Sequence, residues 1–90
     1  MKLHLHGAEV REIELEPGRE YVFGRGSNCD VVLEGQDGIS RDHFRIAETD
    51  GVWTVSVTSK FGDLLHKGQP VSTLQLEPGT AFKLAGYDFH

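Results

Sequence analysis

Apolar residues recur at every second position in this chain, and turn-forming residues break the pattern about every eight to twelve residues. No segment holds a helical period over three turns with capping residues at its ends. A period of two places alternate side chains on opposite faces of an extended strand, so each segment can bury one face only against a second sheet. The pattern predicts an all-β sandwich or barrel.

Taken in order, Leu3 and Leu5 alternate with Lys2, His4 and His6, and Ile13 and Leu15 alternate with charged neighbours. These two segments predict a hairpin, closed off by Pro17-Gly18. Tyr21-Val22-Phe23 and Val31-Val32-Leu33 are short β-rich runs, followed by a polar loop over 34–38. In Phe44 to Ala47, Phe44 and Ile46 are expected inward and His43 and Arg45 outward. Asp50-Gly51 marks a tight turn, because such turns need positive φ. It leads into Val52 to Val57, with Trp53, Val55 and Val57 on one face. Leu64-Leu65, a turn at Gly68-Gln69-Pro70, Leu74 and Leu76, a turn at Glu77-Pro78-Gly79, Ala81 to Leu84, and Tyr87 to His90 complete the series. The pattern stops within a strand at His90, which predicts that residues 1–90 are one domain of a longer polypeptide.

A chain of 90 residues supports one modest core and buries about 65% of its unfolded surface. Its net charge of −5 excludes general nucleic-acid binding, which needs a surplus of lysine and arginine. Any anion site must therefore be local, with Arg25, Arg41, Arg45 and Lys60 as the available cations. The single cysteine, Cys29, forms no internal disulfide and reads as a small buried filler. A reducing, cytoplasmic setting is expected. His4 and His6 share a strand face, but two imidazoles without a third ligand make no zinc site, and no metal or cofactor is expected. No apolar run approaches the length of a membrane span, so no membrane association is expected.

The segment from Gly24 to His43 carries the chemistry. Gly24-Arg25 lies at one end and Ser40-Arg41-Asp42-His43 at the other, each where a strand gives way to a loop. A guanidinium, a hydroxyl and loop amides near Gly26, arranged as an anion nest, could converge on one phosphate. Arg25 could instead be a structural arginine paired with Asp30, and Ser40 an ordinary turn serine. Ser40, Asp42 and His43 are triad residue types, but neighbours in one short loop do not give a nucleophile and base convergent geometry. No Gly-Lys-Ser/Thr phosphate loop is present. The chain is not expected to be an enzyme.

The spacing Gly24-Arg25, Ser27, Asp30, then Ser40-Arg41-Asp42-His43, then Trp53 to Val57, then Ser59 and Gly62, resembles the forkhead-associated (FHA) domain over nearly the whole chain. The resemblance implies a β-sandwich of about ten to eleven mostly antiparallel strands, with loops at one end that bind a phosphothreonine-containing protein or peptide. It implies that Arg25 and Ser40 contact the phosphate and that Gly24 is a close-packing glycine. His43 then braces the loop from inside, while Arg41 holds phosphate or reads a further peptide residue. Where the family usually has Ser-Thr-Asn-Gly, this chain has Ser59-Lys60-Phe61-Gly62. Phe61 cannot supply the amide that hydrogen-bonds the ligand main chain. Ser59, Lys60 and Phe61 are the expected ligand contacts of this loop, with Gly62 supporting it. The implied function is a signalling module that binds phosphothreonine in trans or within the same polypeptide. The alternative is a divergent interaction or intramolecular docking domain with little phospho-dependence.

Overall fold

The computed structural model describes residues 1–7, 9–34, 38–60 and 64–90. Its strands are β1 (Lys2–His6), β2 (Val10–Glu14), β3 (Tyr21–Gly24), β4 (Val31–Val32), β5 (Phe44–Thr49), β6 (Val52–Val57), β7 (Leu64–His66), β8 (Gln69–Val71), β9 (Thr73–Leu76), β10 (Phe82–Leu84) and β11 (Tyr87–Phe89). They form two sheets, in the orders β2-β1-β11-β10-β7-β8 and β4-β3-β5-β6-β9. Pairing is antiparallel except between β3 and β4. This is the expected all-β sandwich, and among the described residues no helix is long and apolar enough to cross a membrane.

The alternation read from sequence sets which side chains face between the sheets. Leu3 and Leu5 of β1, Phe44 and Ile46 of β5 and Val55 of β6 are buried, with Trp53 and Val57 packed against the same core. The β5–β6 register, with Thr49 opposite Val52, follows from the Asp50-Gly51 turn, whose φ values are 52° and 82°. Two phenylalanine pairs fill the centre. Phe23 and Phe44 face each other on β3 and β5 with ring centroids 4.6 Å apart, and Phe82 and Phe89 do the same on β10 and β11 at 4.7 Å. Phe44 meets Phe89 edge-on at 5.5 Å, locking one sheet to the other. Such contacts each add about 0.5 to 1.5 kcal/mol beyond the area they bury.

Two sequence expectations need correction. The turn expected at Gly68-Gln69-Pro70 lies instead at Lys67-Gly68, both at positive φ, and Gln69 and Pro70 belong to β8. β8 is the sheet's outermost strand, the position where a residue lacking an N–H is tolerated. His43, expected outward with Arg45, is fully buried. It precedes β5, so the strand's alternation does not govern it.

Candidate functional site

The β3–β4, β4–β5 and β6–β7 loops meet at one end of the sandwich. Backbone pairing brings the first two together: the Arg25 amide donates to the Ser40 carbonyl and the Gly26 amide to the Arg41 carbonyl, each at 3.1 Å. This approach is why residue 24 is glycine. A Cβ there would collide with the Arg41 carbonyl, whereas one at Gly26 would lie 3.1 Å from it. The same pairing takes the Arg25 and Gly26 amides, and the Cys29 amide turns back to the Gly26 carbonyl at 3.1 Å, so these three do not contribute to the anion nest expected near Gly26.

His43 ties in the third loop. Its Nδ1 accepts the Ser40 amide at 3.0 Å, which leaves the ring proton on Nε2 in the neutral form. Its own amide donates to the Phe23 carbonyl at 2.9 Å, and its carbonyl accepts the amides of Thr58 and Ser59 at 2.9 and 3.1 Å. One buried residue thus holds strand β3 and two loops. Above it, the Ser40 and Ser59 hydroxyl oxygens lie 2.6 Å apart.

Arg25 is exposed, and its Nε donates to the Ile39 carbonyl at 2.9 Å. This fixes the guanidinium plane. Among the described residues neither Nη has a protein acceptor. The alternative pairing with Asp30 is not formed: Asp30 accepts the Val22 amide at 2.8 Å and pairs with Arg19 at 3.2 Å. Arg41 and Lys60 are exposed on the same set of loops. Arg45 does not join them, because it is held by Glu20 at 2.9 Å and Asp42 at 3.1 Å. Phe61 and Gly62 lie outside the described residues.

Asp42 and Thr58 make a brace not foreseen from sequence. The Thr58 hydroxyl donates to the Asp42 carboxylate at 2.7 Å, and that bond, followed by the one from Arg45, holds the Asp42 carboxyl below its ordinary range. The adjacent Thr58-Ser59 pair was the available signal, since each hydroxyl reaches back to a different residue of the Ser40-Arg41-Asp42 run. Cys29 is only half-buried. Its Sγ donates to the Arg41 carbonyl at 2.9 Å, and burial pushes its thiol above the ordinary value, as in an unactivated structural cysteine. Ser40 meets His43 through its amide, not its hydroxyl, and Asp42 is engaged elsewhere. These three residues therefore make no nucleophile–base pair.

Among the described residues no cluster of histidine, cysteine, aspartate or glutamate could hold a metal ion. Two apolar clefts, one lined by Trp53, Leu76 and Pro78 and another by Leu65, Phe82 and Phe89, do not include the loop residues above, whereas a more polar one is lined by Asn28, Cys29, Arg41, Asp42 and Arg45.

The strands and loops together define a β-sandwich with an exposed cationic rim at one end. The sequence model of the FHA domain family matches residues 21–85, and the chain belongs to that family. Nibrin of Danio rerio is 36% identical over 64 residues, covering 69% of this chain, while the chain spans 8% of that protein's length. Among solved structures, the FhaA FHA domain complexed with the intracellular domain of Rv3910 superimposes with a TM-score of 0.83 at 24% identity, covering 98% of this chain and 94% of that one. The FHA domain of CT664 from Chlamydia trachomatis gives 0.82 at 21% identity, covering 99% and 94%. A structure described as an analysis of phosphothreonine-dependent FHA domain interactions gives 0.78 at 24% identity, covering 99% and 93%.

Proposed function

We propose that this domain is a non-catalytic module that binds phosphothreonine in a partner protein, in trans or within its own polypeptide, in a cytoplasmic signalling setting. The observation that carries the reading is the approach of two loops at one rim: the Arg25 amide bonds the Ser40 carbonyl, the Arg25 guanidinium is oriented through Nε with neither Nη meeting a protein acceptor among the described residues, and the Ser40 hydroxyl pairs with that of Ser59. A phosphothreonine presents about −1.5 to −2 charges and three acceptor oxygens. A two-pronged donor and a hydroxyl match that group. Arg41 and Lys60 extend the positive rim, and Gly24 and His43 hold its loops in place. Family membership and the phosphothreonine-dependent interactions ascribed to one structural neighbour support the same reading.

A second reading is favoured by the sequence of the third loop. Ser59-Lys60-Phe61-Gly62 lacks the amide side chain expected for gripping a ligand main chain, which suits an interaction or intramolecular docking domain with weak phospho-dependence. Matched phosphothreonine, phosphoserine and unmodified peptides titrated by fluorescence anisotropy against wild type and Arg25→Lys separate the two. Preference for phosphothreonine that collapses in Arg25→Lys supports the first reading, and equal affinity for all three peptides supports the second. Lysine keeps the charge but loses the fork, so the substitution tests geometry rather than charge.

A further inference from the structure

Gly26 has no conformational need to be glycine. Positive φ occurs at Gly18, Gly38, Gly51, Gly68 and Gly79 but not at Gly26. A Cβ there would be tight against the Arg41 carbonyl, at 3.1 Å, rather than blocked as at Gly24. It would also lie 3.4 Å from the Asn28 side-chain oxygen and 3.5 Å from the Arg41 Cβ, so the missing side chain leaves bare backbone between Asn28 and Arg41. Glycine marks places where another chain passes close to the backbone. The opening adjoins the rim, because the Arg25 amide is bonded to the Ser40 carbonyl and the Gly26 amide to the Arg41 carbonyl.

Asn28 and Arg41 also line a polar cleft with Val22, Cys29, Asp42 and Arg45. Several of its polar groups serve the fold: the Cys29 thiol donates to the Arg41 carbonyl, Asp42 accepts from Thr58 and Arg45, and Arg45 also reaches Glu20. The Asn28 side chain is exposed. Its amide carries two N–H donors and an oxygen acceptor, the complement of a peptide unit. We infer that the main chain of the ligand leaves the phosphothreonine across Gly26 and is hydrogen-bonded by the Asn28 amide. A residue of the β3–β4 loop thereby supplies the contact that Phe61 of the third loop cannot make. The inference rests on the reading of the rim as a phosphothreonine site.

The test uses a phosphothreonine peptide flanked by alanines, so that no flanking side chain adds affinity. Beside it stand its unphosphorylated form and a series in which one main-chain amide at a time near the phosphothreonine is replaced by an ester. Each is titrated against wild type, Asn28→Ala and Gly26→Ala, with melting temperatures as the check on folding. Asn28→Ala is expected to weaken the parent peptide by about fivefold, the factor for one net hydrogen bond, at an unchanged melting temperature. At one position the ester costs wild type a similar factor and costs Asn28→Ala nothing further, the non-additivity of groups in contact. Gly26→Ala weakens binding at least as much, because its methyl occupies the path of the ligand. Wild-type affinity in Asn28→Ala or in Gly26→Ala, or ester costs that are the same in wild type and Asn28→Ala, overturns the inference while leaving the phosphothreonine reading intact. Equal affinity for the phosphorylated and unphosphorylated peptides instead overturns the underlying reading.

Discussion

The hydroxyl oxygens of Ser40 and Ser59 lie 2.6 Å apart, joining the β4–β5 loop to the one that follows β6. In a pair of hydroxyls one proton bridges the two oxygens. Ser40→Ala removes one member and is expected to weaken phosphothreonine-peptide binding by about 1 to 3 kcal/mol, the cost of an unmatched acceptor. Ser59→Ala should cost less, about 0.5 to 1.5 kcal/mol. Calorimetric titration of both single variants and the double variant checks this. Strict additivity would show that the two hydroxyls do not act together.

Arg25→Ala is expected to lower affinity by about 2 to 5 kcal/mol, near complete loss for a micromolar complex, and Arg25→Lys to lower it by the part owed to the lost fork. Because Arg25 is exposed and, among the described residues, makes one side-chain bond, to the Ile39 carbonyl, the melting temperature should move little. A large drop in melting temperature with binding retained would place the residue among the structural arginines.

Gly24→Ala and Gly26→Ala probe the close approach of two loops. At residue 24 the added methyl meets the Arg41 carbonyl head-on, and at residue 26 it is merely tight. Overpacking of the first kind costs about 1 to 3 kcal/mol, so denaturant unfolding should show Gly24→Ala clearly destabilised and Gly26→Ala much less so. Similar midpoints for the two would contradict the geometry.

His43→Ala is expected to leave the Ser40 amide without its acceptor inside the fold, at about 1 to 3 kcal/mol, beyond the cost of the lost ring volume. Loop geometry should suffer with it. Amide hydrogen exchange at Ser40 offers the direct reading, rising in the variant while exchange in β1 and β11 stays slow.

The depressed Asp42 carboxyl gives a pH signature. A carboxyl whose folded pKa is lowered adds stability that is present above its unfolded pKa, about 3.9, and is lost as pH falls through the folded value. The Thr58 hydroxyl is the first cause of the depression. Thr58→Val should therefore raise the Asp42 pKa towards the ordinary aspartate value, as measured by NMR titration of its carboxyl, and reduce acid resistance below about pH 4. The half-exposed carboxylate keeps the effect small.

The sandwich was legible because alternation acts locally. Phe44 and Ile46, Trp53, Val55 and Val57, and the Asp50-Gly51 turn each announce themselves within a few residues. What sequence could not supply was the choice of partner across long separations. Sequence offered Arg25 as a partner for Asp30, and folding gave it Arg19 instead. Arg45 had the look of a rim cation until β5 placed it between Glu20 and Asp42. The Gly26 amide resembled a free donor until the Arg41 carbonyl arrived from the β4–β5 loop. His43 escaped the alternation rule because it stands one residue ahead of the strand.

Strands β1 and β11 lie side by side, with the His4 amide donating to the His90 carbonyl at 2.7 Å and the His90 amide to the His4 carbonyl at 3.0 Å. Met1 and His90 line a cleft with Gly51, the tip of the β5–β6 hairpin, and β5 runs from that tip to the rim. Tension applied through residues 1 and 90 would thus peel two antiparallel neighbours apart one hydrogen bond at a time, in a zipper rather than a shear geometry. Mechanical yielding would begin at the pole farthest from the loops, and a pulled molecule would surrender its first and last strands before its grip.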